Sequence, residues 1–272
     1  MQDVLDAGPS LWHQLASLSA GSKKTGTYEL KQVKLLAPLP RPRKILLAIV
    51  NTQGMLGGED VTLNHPRFDM KAPSVVVGAG DAILAPLSGI RPEVELAAII
   101  GKTLKKSTVE EARAGIFGYT IFDDVTAPKE TKDDSYEAYR TDPSTKQLKK
   151  ATLRGPLFRS KNHDTFGPMG PVIATGDELQ TDSLRMATKF NGELIQSGST
   201  AEYLFKPEQM AAFLSQFLTL EPGDMISCGS VGWQPGYQQD KDPSQWVLPS
   251  SRGQLELEIE GIGVLRNVVR PE

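Results

Sequence analysis

The clearest hydrophobic pattern in the chain is the run Val94-Glu95-Leu96-Ala97-Ala98-Ile99-Ile100, which follows Pro92-Glu93. A strand places alternate side chains on one face. Glu93 and Glu95 therefore point one way and Val94 and Leu96 the other, with the two carboxylates roughly 6 to 7 Å apart. The unbroken apolar stretch Leu96 to Ile100 predicts burial on both faces, so the two acids stand at the end of a core strand, where unpaired charge is costly. A second glutamate-bearing run, Leu255-Glu256-Leu257-Glu258-Ile259-Glu260, alternates without a break and reads as a strand with one face in solvent.

Other periodicities divide the chain into a small N-terminal part, residues 1–70 including a loop, and a larger part, 71–272. Pro9 with Leu11, Leu15 and Leu18 predicts a helix over 9–19. The prolines of Pro38-Leu39-Pro40-Arg41-Pro42 impose an extended approach to a strand at Ile45 to Val50. From Asn51 to Lys71 the chain is rich in Gly, Asn and Pro and reads as a loop over a site, and strand character returns from Lys71 to Ile83. Ser107 and Glu110 have capping-box spacing for a helix ending near Gly115, and Ile116 to Phe122 is a strand that delivers Asp123 and Asp124. Lys129 to Lys150 reads as a solvated excursion. Pro207 opens a helix whose Met210, Phe213, Leu214 and Phe217 form a core stripe, and the turn at Pro222-Gly223-Asp224 leads to a strand at Met225 to Cys228.

Composition narrows the class. The chain has 272 residues, 39% hydrophobic and 23% charged, and a formal net charge of −3, which suits an ordinary globular protein and offers no general attraction to nucleic acid or an anionic membrane. Cys228 stands alone, so neither an intrachain disulfide nor a thiolate cluster is available, and it reads as a small buried residue. Asp3 and Asp6 occupy the region where a signal peptide needs basic residues, and no apolar run approaches the roughly 20 residues of a membrane span. A cytoplasmic protein is expected. Gly78-Ala79-Gly80 lacks the remainder of a dinucleotide fingerprint. His13, His65 and His163 have no metal-binding spacing; His163 stands two residues from Lys161 and is expected to border a site at most.

Glu-x-Glu alone is a weak motif, but carboxylates gathered within a few ångströms need a counter-charge, and a hard divalent cation with oxygen ligands supplies one. Several short segments occur in order: Pro92-Glu93-Val94-Glu95-Leu96, Gly118-Tyr119-Thr120 with Asp124-Val125-Thr126-Ala127, and Lys161 with Asp164-Thr165-Phe166. Asn191-Gly192-Glu193 with Gln196, Leu220-x-Pro222-Gly223-Asp224 and Glu260-Gly261-Ile262-Gly263 complete the series. Together these resemble the fumarylacetoacetate hydrolase superfamily over about three quarters of the chain. The resemblance implies an α+β, mainly β fold, a mixed β-roll with a small N-terminal domain, and a homodimer. It implies Glu93, Glu95 and Asp124 as ligands of Mg²⁺, with Mn²⁺ or Ca²⁺ as alternatives, Lys161 as the active-site lysine and Gln196 on the substrate side. Gly229-Ser230 stands in place of a family Gly-Thr, and Asn51 is the strand-terminal asparagine beside the substrate.

Two departures bear on mechanism. Met55 occupies the position of a lid histidine that, with a glutamate, activates water in many members; a thioether accepts no proton, which leaves His65 with Glu59 or Asp60 as the substitute pair. Pro128 replaces an arginine, leaving Lys129 or Lys161 to supply positive charge to a substrate carboxylate. The chemistry expected is metal-assisted reaction of a small 2-oxo acid or 1,3-dicarbonyl through an enolate, by C–C hydrolysis or decarboxylation. A hydratase or isomerase, or an impaired metabolite-binding homologue, is the alternative.

Overall fold

The computed structural model describes residues 1–20, 28–56, 61–153, 155–234, 237 and 246–272. In chain order the strands are β1 (Ile45–Ala48), β2 (Phe68–Lys71), β3 (Val76–Val77), β4 (Ala82–Ala85), β5 (Val94–Ile100), β6 (Ile116–Asp123), β7 (Tyr136–Thr141), β8 (Leu148–Leu153), β9 (Gly167–Thr175), β10 (Arg185–Phe190), β11 (Glu193–Ser199), β12 (Met225–Ser230), β13 (Gly253–Ile259) and β14 (Gly263–Pro271). The helices are α1 (Gln2–Ala7), α2 (Pro9–Ala20), α3 (Gln53–Leu56), α4 (Val109–Gly115), α5 (Phe158–Lys161) and α6 (Pro207–Ser215).

A seven-stranded sheet runs β2-β1-β12-β5-β6-β9-β3, and a five-stranded sheet runs β11-β10-β13-β14-β4. β2 and β3 are opposite edges of the first sheet, yet only the short link from Lys71 to Val76 joins them. Five residues of extended chain span at most about 18 Å, so the sheet must curl until its two edges approach. The five-stranded sheet packs against one face of this roll, with β13 against β5 and β6, while α6 lies on β12 and α4 on β6. Covered on both sides, β5 is buried at every residue, as its apolar run predicts. On β13, Leu255, Leu257 and Ile259 are buried and Glu258 is exposed, as is Glu260 just beyond it, the alternation expected of a half-solvated strand.

Several local expectations shift. Thr108, not Ser107, caps α4: its side chain accepts from Glu111 N, and Glu111 answers with a bond from Thr108 N. Both pairs satisfy the capping-box spacing, and tertiary structure decides, because Ser107 N donates to Ser215 Oγ at 2.9 Å. α6 ends at Ser215, so Met210 and Leu214 are core whereas Phe217 is exposed. The segment 129–150 is a largely exposed excursion with secondary structure of its own. A 3₁₀ turn (Pro128–Asp134) leads into the antiparallel pair β7–β8, held by its own ladder with Tyr136 and Tyr139 exposed. Between Lys71 and Ile83 the strand is broken: a turn at Pro73–Val75 separates the end of β2 from the two-residue β3, and β4 begins only at Ala82.

One irregularity shapes the strand ends that carry the acids. β12 pairs with β5 as Ser227 with Ala97, then as Ser230 with Glu95, so β12 holds an extra residue across a bulge at Cys228–Gly229. Gly229 has φ +96, and a Cβ there would stand 2.8 Å from Asn51 Cβ. Gly229→Ala should therefore lower stability by about 1 to 3 kcal/mol, whereas Gly232→Ala, with open space and ordinary φ, should change it by less than about 0.5 kcal/mol. Urea midpoints compare the two; equal midpoints would show that the bulge tolerates a side chain.

Candidate metal centre

The strand ends gather the acids. Val94 pairs with Asp123 across β5 and β6, and Asp124 N donates to Glu93 O at 3.0 Å, which holds Asp124 beside Glu93. Glu93, Glu95 and Asp124 are all buried and line a cavity of about 420 Å³ with Asn51, Met55, Lys161 and Ser230. The β12 bulge serves Glu95, whose Oε2 accepts from Ser227 Oγ at 2.5 Å and from Gly229 N at 3.0 Å. Ala127 N donates to Ser160 O, tying α5 to the strand end and carrying Lys161 into the cavity. There its Nζ bonds Asp124 Oδ2 and stands 3.4 Å from Glu93 Oε2.

Lys71, which no sequence motif marks, completes the cluster. It is fully buried at the end of β2, where the curl of the sheet brings its Nζ to Asp124 Oδ1 at 2.5 Å and to Val125 O at 2.8 Å. Asp124 thus has an ammonium group on each oxygen. Burial opposes its charge, but Lys161 and Lys71 outweigh burial and hold its carboxyl below the ordinary range. Burial lowers Lys71 although Asp124 pulls the other way. For Lys161 burial works in the same sense, yet Asp124 and Glu93 prevail and raise it. Glu95 is pushed up to about 8, first by burial and then by the charge of Asp124. Asp123, likewise pushed to about 8 by burial, accepts from Glu93 N through Oδ1, while its buried Oδ2 has no hydrogen-bond partner.

The donor chemistry fits a hard divalent ion: three buried carboxylates, with no thiolate or imidazole among the described lining residues. As they stand, no three Asp, Glu, His or Cys side chains among the described residues converge to ligate one ion. Binding would require an ammonium group to withdraw from Asp124.

The other expected residues are spread around this centre. Ser230 lines the cavity and donates to Val94 O. Gln196 is wholly buried behind it, accepting from Thr188 Oγ1 and donating to Ser230 Oγ and Val231 O, so it orients Ser230 and does not line the cavity itself. Asn51 lines the wall with its amide bonded to Cys228 O and Phe205 O. His65 is exposed, stacked on Phe213 at 5.5 Å, and is not among the lining residues. Glu59 and Asp60 lie outside the described residues. His163 bonds Glu130 at 2.8 Å outside the cavity. Arg91, not Lys129, brings a further cation to the lining.

In the folded, metal-free protein Glu95 keeps its proton up to about pH 8, whereas the unfolded chain releases it near 4.5. The folded state therefore holds more protons between those values, and this group's contribution to stability falls as pH rises from 4.5 to 8. An ion bound to the ionised carboxylate reverses that loss. Melting curves of chelator-treated protein should show Glu95→Gln losing less stability than wild type over this interval. Added Mn²⁺ should raise the wild-type melting temperature increasingly towards pH 8 and the variant's far less. An equal Mn²⁺ effect on both would remove Glu95 from the site.

Residues 50–270 match the family model for the fumarylacetoacetate (FAA) hydrolase C-terminal region. The chain is 32% identical over 250 residues to oxaloacetate tautomerase YisK of Bacillus subtilis (strain 168), covering 89% of this chain and 75% of that protein. The solved structure of 5-carboxymethyl-2-hydroxymuconate delta-isomerase from Mycobacterium smegmatis superposes with a TM-score of 0.71 at 27% identity, over 91% of this chain and 86% of the other. The fold also matches maleylpyruvate hydrolase from Sphingobium sp. SYK-6, solved with manganese(II) and pyruvate, with a TM-score of 0.73 at 24% identity over 100% and 86% of the two chains. With a family match over most of its length, a relative above 30% identity and a mixed α+β roll shared with these structures, the chain belongs to the fumarylacetoacetate hydrolase family.

Proposed function

We propose that the protein is a divalent-metal-dependent tautomerase or isomerase of a small 2-oxo acid, with oxaloacetate as the leading substrate. This displaces C–C hydrolysis or decarboxylation, the leading expectation from sequence, in favour of its alternative. The observation that carries the reading is the cavity wall. Buried carboxylates and Lys161 surround it, Met55, which the family resemblance sets at the position of a water-activating histidine, lies on it, and no described lining residue is a histidine. The names of the relatives, a tautomerase and an isomerase, support the same choice.

Keto–enol interconversion breaks a C3–H bond, forms a C2=C3 double bond and places a proton on the C2 oxygen. It consumes no water, so the loss of a water-activating dyad leaves it intact. A divalent ion, Mg²⁺ or Mn²⁺, would polarise the 2-oxo group and lower the cost of enolate charge, with Glu93, Glu95 and Asp124 as its holders. Lys161, held protonated by its carboxylate neighbours, stabilises or protonates the C2 oxygen but cannot take a proton from carbon. That task falls to Asp69, a carboxylate on the wall outside the three-acid cluster. Ser230, oriented by Gln196, and Asn51 shape the substrate's seat, while Gly229 acts behind them through its N–H on Glu95. A cytoplasmic homodimer is the setting this reading adopts.

Parallel assays with saturating Mg²⁺ or Mn²⁺ test it: enol absorbance of oxaloacetate, release of carbon dioxide from oxaloacetate, and hydrolysis of acetylpyruvate. Tautomerisation should be the fastest, and hydrolysis should lack the general-base assistance typically worth about 10² to 10⁴ in rate. Lys161→Met should slow tautomerisation by about 10² to 10³ while the Mn²⁺-dependent melting shift survives, and Asp69→Asn should slow it with KM little changed. Efficient acetylpyruvate hydrolysis by the wild type, with tautomerisation near the uncatalysed rate, would overturn the reading.

A further inference from the structure

We propose that Arg91 is a specificity residue, one that grips a second carboxylate on the substrate and so selects 2-oxo diacids over 2-oxo monoacids. This rests on the proposed action on a 2-oxo acid and adds a preference within it. Arg91 precedes β5 and is fixed by its own backbone: its N–H donates to Thr126 O at 2.7 Å, and its carbonyl accepts from Thr126 N at 2.9 Å. That bridge locks it to the segment that carries Asp124 and Pro128. Its side chain, 18% exposed, lines the cavity with one terminal nitrogen 3.5 Å from Glu93 Oε1.

The charges on the wall make the case. The described lining residues include the carboxylates of Asp69, Glu93, Glu95 and Asp124 and the cations Lys161 and Arg91. Lys161 is engaged on the floor with Asp124 and Glu93. A 2-oxo monoacid places its whole charge at that floor, beside the metal ligands. A diacid brings a second carboxylate, which adds to the charge of the four lining carboxylates unless a cation receives it. Arg91 is the other cation among the described lining residues, with its guanidinium beside Glu93, and it presents a planar fork that matches a carboxylate in two parallel bonds, at higher strength than a neutral donor. The cavity, about 420 Å³, accommodates an acid of four or more carbons.

A purely structural role, in which Arg91 only offsets the charge of Glu93, predicts different behaviour, and ligand binding separates the two. Calorimetry on Mn²⁺-loaded protein compares pyruvate with oxaloacetate for wild type, Arg91→Met and Arg91→Lys, with Mn²⁺ affinity measured separately on each. Arg91→Met should weaken oxaloacetate by about 10- to 100-fold and pyruvate by less than about threefold, with Mn²⁺ affinity retained. Arg91→Lys, which keeps the charge without the fork and serves if the methionine variant does not fold, should weaken oxaloacetate by an intermediate factor. Equal weakening of both ligands, or none, would overturn the proposal. Wild type that binds oxaloacetate in preference to pyruvate but interconverts neither would fail the tautomerase reading while leaving the role of Arg91 standing.

Discussion

The organising constraint is the cost of gathering carboxyl groups inside a protein. Glu93, Glu95, Asp123 and Asp124 occupy one buried region, and burial penalises every ionised one. Two ammonium groups meet Asp124, one on each oxygen: Lys71 from the edge strand β2 and Lys161 from α5. Where cations do not suffice, protons make up the difference, since Glu95 and Asp123 are each pushed up to about 8. The cluster is therefore held close to electrical neutrality by a set of exchangeable positive charges. A divalent ion held by these carboxylates would take the place of such positive charges, with release of protons.

That balance depends on the curl of the large sheet. Lys71 and Asp124 are separated by three intervening strands in the sheet order, β1, β12 and β5, before β6 is reached. A flat sheet would hold them roughly 20 Å apart at about 4.8 Å per strand. Rolling the sheet until the short Lys71–Val76 link can join its edges brings Nζ of Lys71 to the acid. The second sheet and the helices α4 and α6 then fix the roll from outside, and the β12 bulge turns Ser227 and Gly229 N onto Glu95. Fold and site share the same residues: strand-end geometry sets the carboxylate positions, and the counter-charges tie the edges of the roll together.

The fold was legible where burial is written into consecutive residues. Five apolar residues after Glu95 announced a strand covered on both faces, and the strict alternation at 255–260 announced one covered on a single face. Legibility ended where two local solutions are equally good, as with the overlapping Ser107/Glu110 and Thr108/Glu111 pairs, which a contact with Ser215 separates. It also ended where a role depends on sheet closure. Phe68-Asp69-Met70-Lys71 reads as the end of a Gly-, Asn- and Pro-rich loop, yet it forms the edge strand β2, with Met70 exposed and Lys71 buried. Charge arithmetic was the available clue, since three clustered acids and a single lysine leave a deficit that asks for another cation. The lid region divides the same way: Met55 is on the cavity wall, His65 is on Phe213, and Glu59 lies outside the described residues.

The position of Met55 connects this charge balance to the choice of reaction. Hydrolysis needs a group that accepts a proton from water without being drawn into the acid cluster, because a carboxylate already shared between two ammonium groups is a poor base. Asp124 is disqualified on that ground, Glu95 and Glu93 are engaged with Ser227, Gly229, Thr126 and Lys161, and Asp69, the other carboxylate among the described lining residues, is the base proposed for the substrate's C3–H. What the cluster does well is stabilise negative charge on an oxygen, which suffices when the only bonds made and broken are those to hydrogen on one substrate. In the proposed function, a thioether in place of an imidazole leaves the enolate without histidine-assisted attack of water, which favours moving a proton between carbon and oxygen over C–C cleavage.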